Sequence, residues 1–230
     1  MKDLLPKIKI NVNPNIFIKD PDTSDLGKKI LSESVNMIED LGVENFTFKK
    51  LSQQIESTEA SIYRYFESKH KLLLYLTSWY WGWLEYHLVF GLSNIPSATE
   101  RLARAIQIIT ESDNHEFSHS YIDLTKLSRI IISESSKTYL TIHVDQENQE
   151  GAFEGYKQLV KRVSDIILEI DPSYKYPHML VSTVIEGAHQ QRFFSRHLPS
   201  LTDKTGETDP ILSFYTQLVF KYLGIENTNN

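Results

Sequence analysis

The sequence predicts an all-α fold, with a head of three short helices followed by a body of six longer ones. Three observations lead there. Apolar residues recur with the 3.6-residue period of a helix through most of the 230 residues. Ser, Thr or Asp stands before several of these segments and Gly or Pro after them, the punctuation of helix starts and stops. The one β-branched stretch, Thr138 to Val144, has no second strand to pair with and is read as helix or loop. Composition agrees, since 40% hydrophobic and 23% charged residues suffice for a sizeable core and exclude a disordered or collagen-like chain. With no cysteine, disulfide scaffolds, thiol nucleophiles and Cys-based zinc sites are excluded.

Residues 1–23 hold Pro6, Pro14 and Pro21 among Ile, Val and Asn, which suits an extended tail. Ser24 or Asp25 can cap a first helix whose apolar positions are Ile30, Leu31, Val35, Ile38 and Leu41, and Gly42 supplies its left-handed end. A second, short helix fits Thr47 to Gln54, with the Thr47 hydroxyl as cap and Phe48, Leu51 and Ile55 on one face. The third runs from about Thr58 to Phe66. Residues 24–72 thus form a helix-turn-helix domain, and residues 73–230 the body. Body helices are expected at Lys69 to Phe90, closed by Gly91; at Ser97 to Thr110; and at Tyr121 to Ser135. Three more follow at Ala152 to Ile170, Pro177 to His197 and Pro210 to Leu223, each stopped by a Pro or Gly close behind. The apolar run Leu72 to Leu84 spans a bilayer only if Glu85 and His87 are included, so it reads as a buried helix, without a membrane partner. No secretory segment is read in Met1 to Ile10, where Pro6, Lys7 and Lys9 interrupt the apolar residues, and the expected location is the cytoplasm.

Residues 42–73 read GVENFTFKKLSQQIESTEASIYRYFESKHKLL. Gly42 closes the first helix, Thr47 starts the second and Leu51 lies in its core. Ser61-Ile62-Tyr63 falls in the third helix, followed by Tyr65-Phe66, and Ser68-Lys69 opens the fourth. This ungapped pattern resembles the DNA-binding head of the TetR family of bacterial transcription regulators. A short helix presented by a tight turn can enter the major groove, about 12 Å wide, with its N-terminal half against base edges. Ser57, Thr58, Glu59, Ala60, Ser61 and Arg64 are the expected groove-facing set, and Ile62 and Phe66 point inward. Arg64 is the side chain suited to a bidentate contact with guanine. Thr47, Tyr63, Tyr65 and Lys69 are donors placed to hold phosphates, a role the resemblance gives to matching positions, and Lys49 adds a charge beside them. Two departures from the family pattern stand out: Glu56 occupies the turn where glycine is common, and Glu59 takes a position where a neutral or basic residue is more usual.

Charge is distributed to match. Residues 48–71 carry five basic and three acidic groups, whereas residues 76–230 carry 13 basic and 19 acidic, so the overall charge of −6 belongs to the body. In the fourth helix Tyr75, Trp79, Trp83, Tyr86 and Phe90 follow at spacings of three and four, a stripe that more often packs a core but, joined by rings on other helices, also suits an apolar pocket. The resemblance implies a small-molecule effector in the body, and Trp79, Trp83, Tyr86, Tyr121 and Tyr156 are the expected lining. It also implies a homodimer built by the last two long helices, through Leu180, Val184, Gly187, Ala188, Tyr215, Leu218 and Tyr222, although these residues could also close a monomer core. No cofactor or metal is expected. The resemblance thus implies a ligand-relieved repressor on a palindromic operator, and no enzyme. Two alternatives stay open. His115, Glu116 and His119 spell the H-E-x-x-H pattern of a metal-dependent hydrolase, though Asp113 with Glu116 also reads as a capping box; or the head has lost its grip on DNA and the chain only binds a ligand.

Overall fold

A computed structural model describes residues 10–111, 121–134, 136–203 and 209–225. Among them are eleven α-helices and no strand: α1 (Asp25–Asn45), α2 (Phe48–Gln54), α3 (Glu59–Tyr63), α4 (Lys69–Gly91), α5 (Ala98–Thr110), α6 (Leu124–Glu134), α7 (Ser136–Tyr139), α8 (Val144–Gln149), α9 (Glu154–Ile170), α10 (Pro177–His197) and α11 (Pro210–Tyr222). The all-α expectation holds, with α7 and α8 added to the six long body helices. The β-branched stretch from Thr138 is divided between the end of α7, a turn and the start of α8. No helix among the described residues is long and apolar enough to cross a membrane. The His115, Glu116 and His119 pattern, with Asp113, lies outside the described residues.

The chain forms two structural units, Met1–Gly82 with Asp113–Gly155 and Trp83–Ser112 with Tyr156–Asn230. In the first, α1 begins at Ser24, whose hydroxyl accepts from the Gly27 N–H at 3.2 Å, and buries Ile30, Leu31, Val35 and Ile38. Its regular turns stop at Gly42, where φ is +73°, and Val43 and Phe46 turn back into the core. Thr47 caps α2 by accepting from Lys50 N–H, and Thr58 caps α3 by accepting from Ser61 N–H, each at 3.2 Å. Ser68 does the same for α4. Helix α4 runs on into the second unit and is buried nearly all round from Leu72 to Trp81, as its high and even apolarity demands.

Residues 10–23, expected as a tail, carry two 3-10 turns and pack closely. Ile10 meets Gly82, Ile16 is buried, Phe17 stands edge-on to Tyr75, and the Ile18 N–H donates to the Tyr65 carbonyl at 2.8 Å. Pro21 lies so close to Gly27 that a Cβ there would overlap its carbonyl. Along α1 and the α6–α7 region runs a polar seam: Lys126 donates to Asn36 at 2.8 Å, Arg129 pairs with Glu39 at 2.7 Å and Lys137 with Glu44 at 2.9 Å. Glu147 of α8 is only 3% exposed and is met by the His70 ring at 2.9 Å and the Lys71 ammonium at 3.3 Å on the first turn of α4.

In the second unit α5, α10 and α11 pack together around Leu102, Ile106, Val181, Val184, Ile185, Ala188, Tyr215 and Val219. Asp209 caps α11 through the Ile211 and Leu212 N–H groups and also pairs with Arg192, whose guanidinium donates to the Thr110 carbonyl at the end of α5. One arginine thus ties three helix ends together.

Candidate nucleic-acid interface

The head is built so that one residue anchors α3 and its neighbours face out. Ile62 is fully buried, and side chains one and two positions away are turned about 100° and 200° from it. Ala60, Tyr63 and Arg64 therefore point outward, and Glu59 and Thr58 are exposed at the first turn. Tyr63 is 49% exposed, with its ring edge-on to Phe48 at 5.0 Å, which fixes the phenol while leaving it accessible. On α2, Lys49 is exposed. Neither Lys49 nor Arg64 has a partner among the described residues, so both cations are available to an anion.

Other residues of the expected set have structural work. Thr47 and Thr58 are the helix caps already described, and the Thr58 and Ser61 hydroxyls bond each other at 2.9 Å. Ser57 is half-buried, its N–H donating to the Ser52 carbonyl. Tyr65 is 3% exposed: its hydroxyl bonds Ser24 Oγ at 2.7 Å and Lys19 lies over its ring, so it locks the start of α1 to the end of the helix-turn-helix. The Lys69 ammonium folds back onto the Val43 and Glu44 carbonyls, at 3.1 and 3.3 Å, and satisfies the otherwise open end of α1. In the turn, Glu56 adopts φ +54°, a conformation that costs a β-carbon-bearing residue about 1 kcal/mol or more. It is held there by backbone bonds on either side, to Gln53 from Glu56 and to Ser52 from Ser57, and by Lys29, which donates to the Ile55 carbonyl. The carboxyl of Glu44 sits below its ordinary range because Lys137 donates to it.

The five residues expected to line a ligand pocket are distributed over both units. Trp79 and Tyr121 lie in the first, Trp83, Tyr86 and Tyr156 in the second. Trp79 is fully buried. Tyr121 donates to Asp22 in the N-terminal segment, and burial together with that carboxylate pushes its phenol, like that of nearby Tyr75, far above the ordinary range. Trp83 is buried and stacks flat on His87, which the sequence reading passed over although it sits one turn along. Burial, and secondarily Arg104, lowers the His87 pKa. Tyr156 donates to Glu186 at 2.9 Å, while Tyr86 is half-buried. His189 is enclosed on α10, and desolvation holds its pKa down to about 4. A separate open cavity of about 380 Å³ lies between the end of α10, the Pro199–Leu201 turn and α11, lined by Gln191, Asp203, Ile211, Phe214 and Gln217 among others.

Of the residues expected at a dimer contact, Val184, Ala188 and Tyr215 lie in the unit's own core, and Gly187 provides the gap that receives the Tyr215 ring. Leu180 and Leu218 are half-buried, and Tyr222 is 71% exposed. Phe214 is 55% exposed and, with Leu218 and Tyr222, makes an apolar stripe along the open side of α11 that the sequence reading assigned only in part.

The fold and its exposed α3 define a helix-turn-helix protein with a helical body. Residues 30–76, which hold the helix-turn-helix, match the family described as bacterial regulatory proteins, tetR family. Similar folds occur in AibR in complex with isovaleryl coenzyme A and operator DNA, with a TM-score of 0.58 at 14% identity over 83% of this chain and 97% of that one. The superantigen PfiT gives 0.58 at 15% identity over 92% and 100%. PfmR, a TetR family transcriptional regulator from Thermus thermophilus, gives 0.55 at 14% identity over 86% and 98%. No curated protein sequence matches the chain. A TetR-type head on this all-helical fold supports a DNA-binding transcriptional regulator.

Proposed function

We propose that the chain is a transcriptional repressor of the cytoplasm that binds a palindromic operator as a homodimer and releases it when a small molecule occupies the body. The observation that carries this reading is the open face of α2 and α3, where Lys49, Tyr63 and Arg64 stand accessible on a TetR-type head. Their number is small, so two heads on one duplex are needed for useful affinity, with half-sites about one helical turn apart. The exposed stripe of Phe214, Leu218 and Tyr222 on α11, beside half-buried Leu180, supports pairing through the last two long helices. A ligand in the body is supported by the half-buried polar groups beside its rings, His87 against Trp83 and Glu186 against Tyr156, and by the fold shared with AibR, whose complex holds both operator DNA and isovaleryl coenzyme A. Catalysis has no part in this reading.

The test is binding of the full chain to DNA fragments flanking its own gene. A dimer-sized complex should form, be weakened by about 1–3 kcal/mol in Arg64→Ala, and be lost when Leu218→Asp leaves the chain monomeric in ultracentrifugation. Binding unchanged in both variants would overturn the proposal.

A further inference from the structure

We propose that Glu59 and Arg64 are the base-reading pair of the head, Glu59 accepting a hydrogen bond from the exocyclic amino group of a cytosine and Arg64 donating to a guanine. Each half-site then carries one C and one G at two separate positions under α3. The inference rests on the reading of the head as a DNA interface and adds what sequence that interface selects.

Most side chains on α3 and its flanks are already committed to the fold. The hydroxyls of Thr58 and Ser61 are engaged with each other and with the first turn of the helix. Tyr65 is buried on Ser24, and Lys69 is bound to the last carbonyls of α1. Ile62 is the inward anchor. Tyr63 packs edge-on to Phe48, at the side of the helix nearer α2, where a phenol meets backbone more readily than base edges. Over residues 59–64, the exposed charged side chains without a partner among the described residues are Glu59 and Arg64, with the methyl of Ala60 between them.

Arg64 is matched by the two acceptors of guanine. Glu59 is the more informative residue. A carboxylate brought to a polyanion is repelled unless it finds a donor, and in the major groove the donors are the amino groups of cytosine and adenine. Adenine carries its own N7 acceptor beside that amino group, which disfavours a carboxylate, whereas cytosine carries the amino group and no acceptor of its own in the groove. The head also has few free cations to offset an idle negative charge, since Lys50 donates to the Asn45 carbonyl and Lys69 is engaged as described. A second role is available to Glu59, at the first position of α3, where a negative charge favours the helix dipole. That role affects stability alone and leaves no mark on DNA sequence preference.

Selection of bound duplexes from a random library by the full chain separates the two. The wild type should enrich a half-site with C at one position and G at another. Glu59→Gln should convert the C to A with the rest of the site retained, because a carboxamide pairs with both the N6 and N7 of adenine. Glu59→Ala should erase preference at that position and weaken binding to the wild-type site by about tenfold. Arg64→Ala should erase the G and leave the C. If Glu59→Ala and Glu59→Gln select the wild-type sequence and bind it as tightly or more tightly, Glu59 is no base reader and the proposal fails while the DNA-binding reading stands. If the wild type binds no duplex, that reading fails and the proposal falls with it.

Discussion

The arginines of the second unit and the arginine that closes α3 have opposite fates. Arg101 reaches Glu169 at 2.6 Å, Arg162 meets Glu85, and Arg192 is held by Asp209 and the Thr110 carbonyl. Arg64 meets nothing among the described residues. In the first case the charge is consumed by the fold and contributes by joining helices. In the second the fold supplies no partner, and the desolvation that a charge must undergo is deferred to a binding event. The contrast teaches that net charge is a poor guide to binding: what matters is which charges the structure leaves unneutralised. Two such cations in the mildly basic stretch 48–71 are compatible with a chain that carries −6 overall.

Four measurements break or sharpen the contrast, the largest effect first. Arg192→Ala leaves Asp209 partly buried and the Thr110 carbonyl without its donor, so unfolding in denaturant should show a loss of about 3 kcal/mol, with DNA affinity at saturating folded protein unchanged. His189 comes next, because the second unit also encloses a neutral imidazole. Its folded pKa lies near 4 and the ordinary value near 6.5, so the unfolded chain takes up the proton first as pH falls. The stability this group contributes is complete above about pH 6.5 and is lost toward pH 4, by about 3 kcal/mol in all. The difference between wild type and His189→Leu in melts over that window isolates it, and parallel curves would refute the assignment.

Arg64→Ala is the mirror image of Arg192→Ala. Stability should move by no more than about 0.5 kcal/mol, while operator binding weakens by about 1–3 kcal/mol, read by fluorescence anisotropy. A stability loss matching that of Arg192→Ala would mean that Arg64 belongs to the fold after all. The smallest effect is expected at the turn. Glu56→Gly removes a left-handed strain and should raise stability by about 1 kcal/mol at most, and the loss of a negative charge beside the DNA face should tighten binding at low salt and fade at high salt.

Local signals in the sequence led to the helices almost residue by residue, because caps and breakers act over three or four positions. Ser24, Thr47, Thr58 and Asp209 perform the capping their residue types suggest, and Gly42 ends α1 as expected. What stayed hidden depends on partners far along the chain. Tyr63 and Tyr65 are two positions apart and equally plausible as phosphate donors; only Ser24, 41 positions away, shows that Tyr65 belongs to the interior. Lys69 looked equally free until the carbonyls of Val43 and Glu44 came beneath it. The stretch Thr138 to Val144 is β-branched, yet it runs from α7 to α8, where the pairing of Glu147 with His70 and Lys71 fixes the second helix, a tertiary effect that propensity does not carry. Apolar periodicity marked Val184, Ala188 and Tyr215 as buried without saying whether a neighbouring helix or a second copy would cover them; α10 and α11 cover one another there, and the free stripe falls on Phe214, Leu218 and Tyr222.

The N-terminal segment has a practical consequence for anyone who wants the head as a separate fragment. Ile16, Phe17, Ile18, Pro21 and Asp22 lie against α4, the end of the helix-turn-helix, α1 and Tyr121. A peptide trimmed to start at the first regular helix would uncover the Tyr75 and Tyr65 faces and leave Gly27 facing solvent. Minimal DNA-binding fragments should therefore keep residues from Ile10 onward, and an affinity tag is better attached at the opposite terminus.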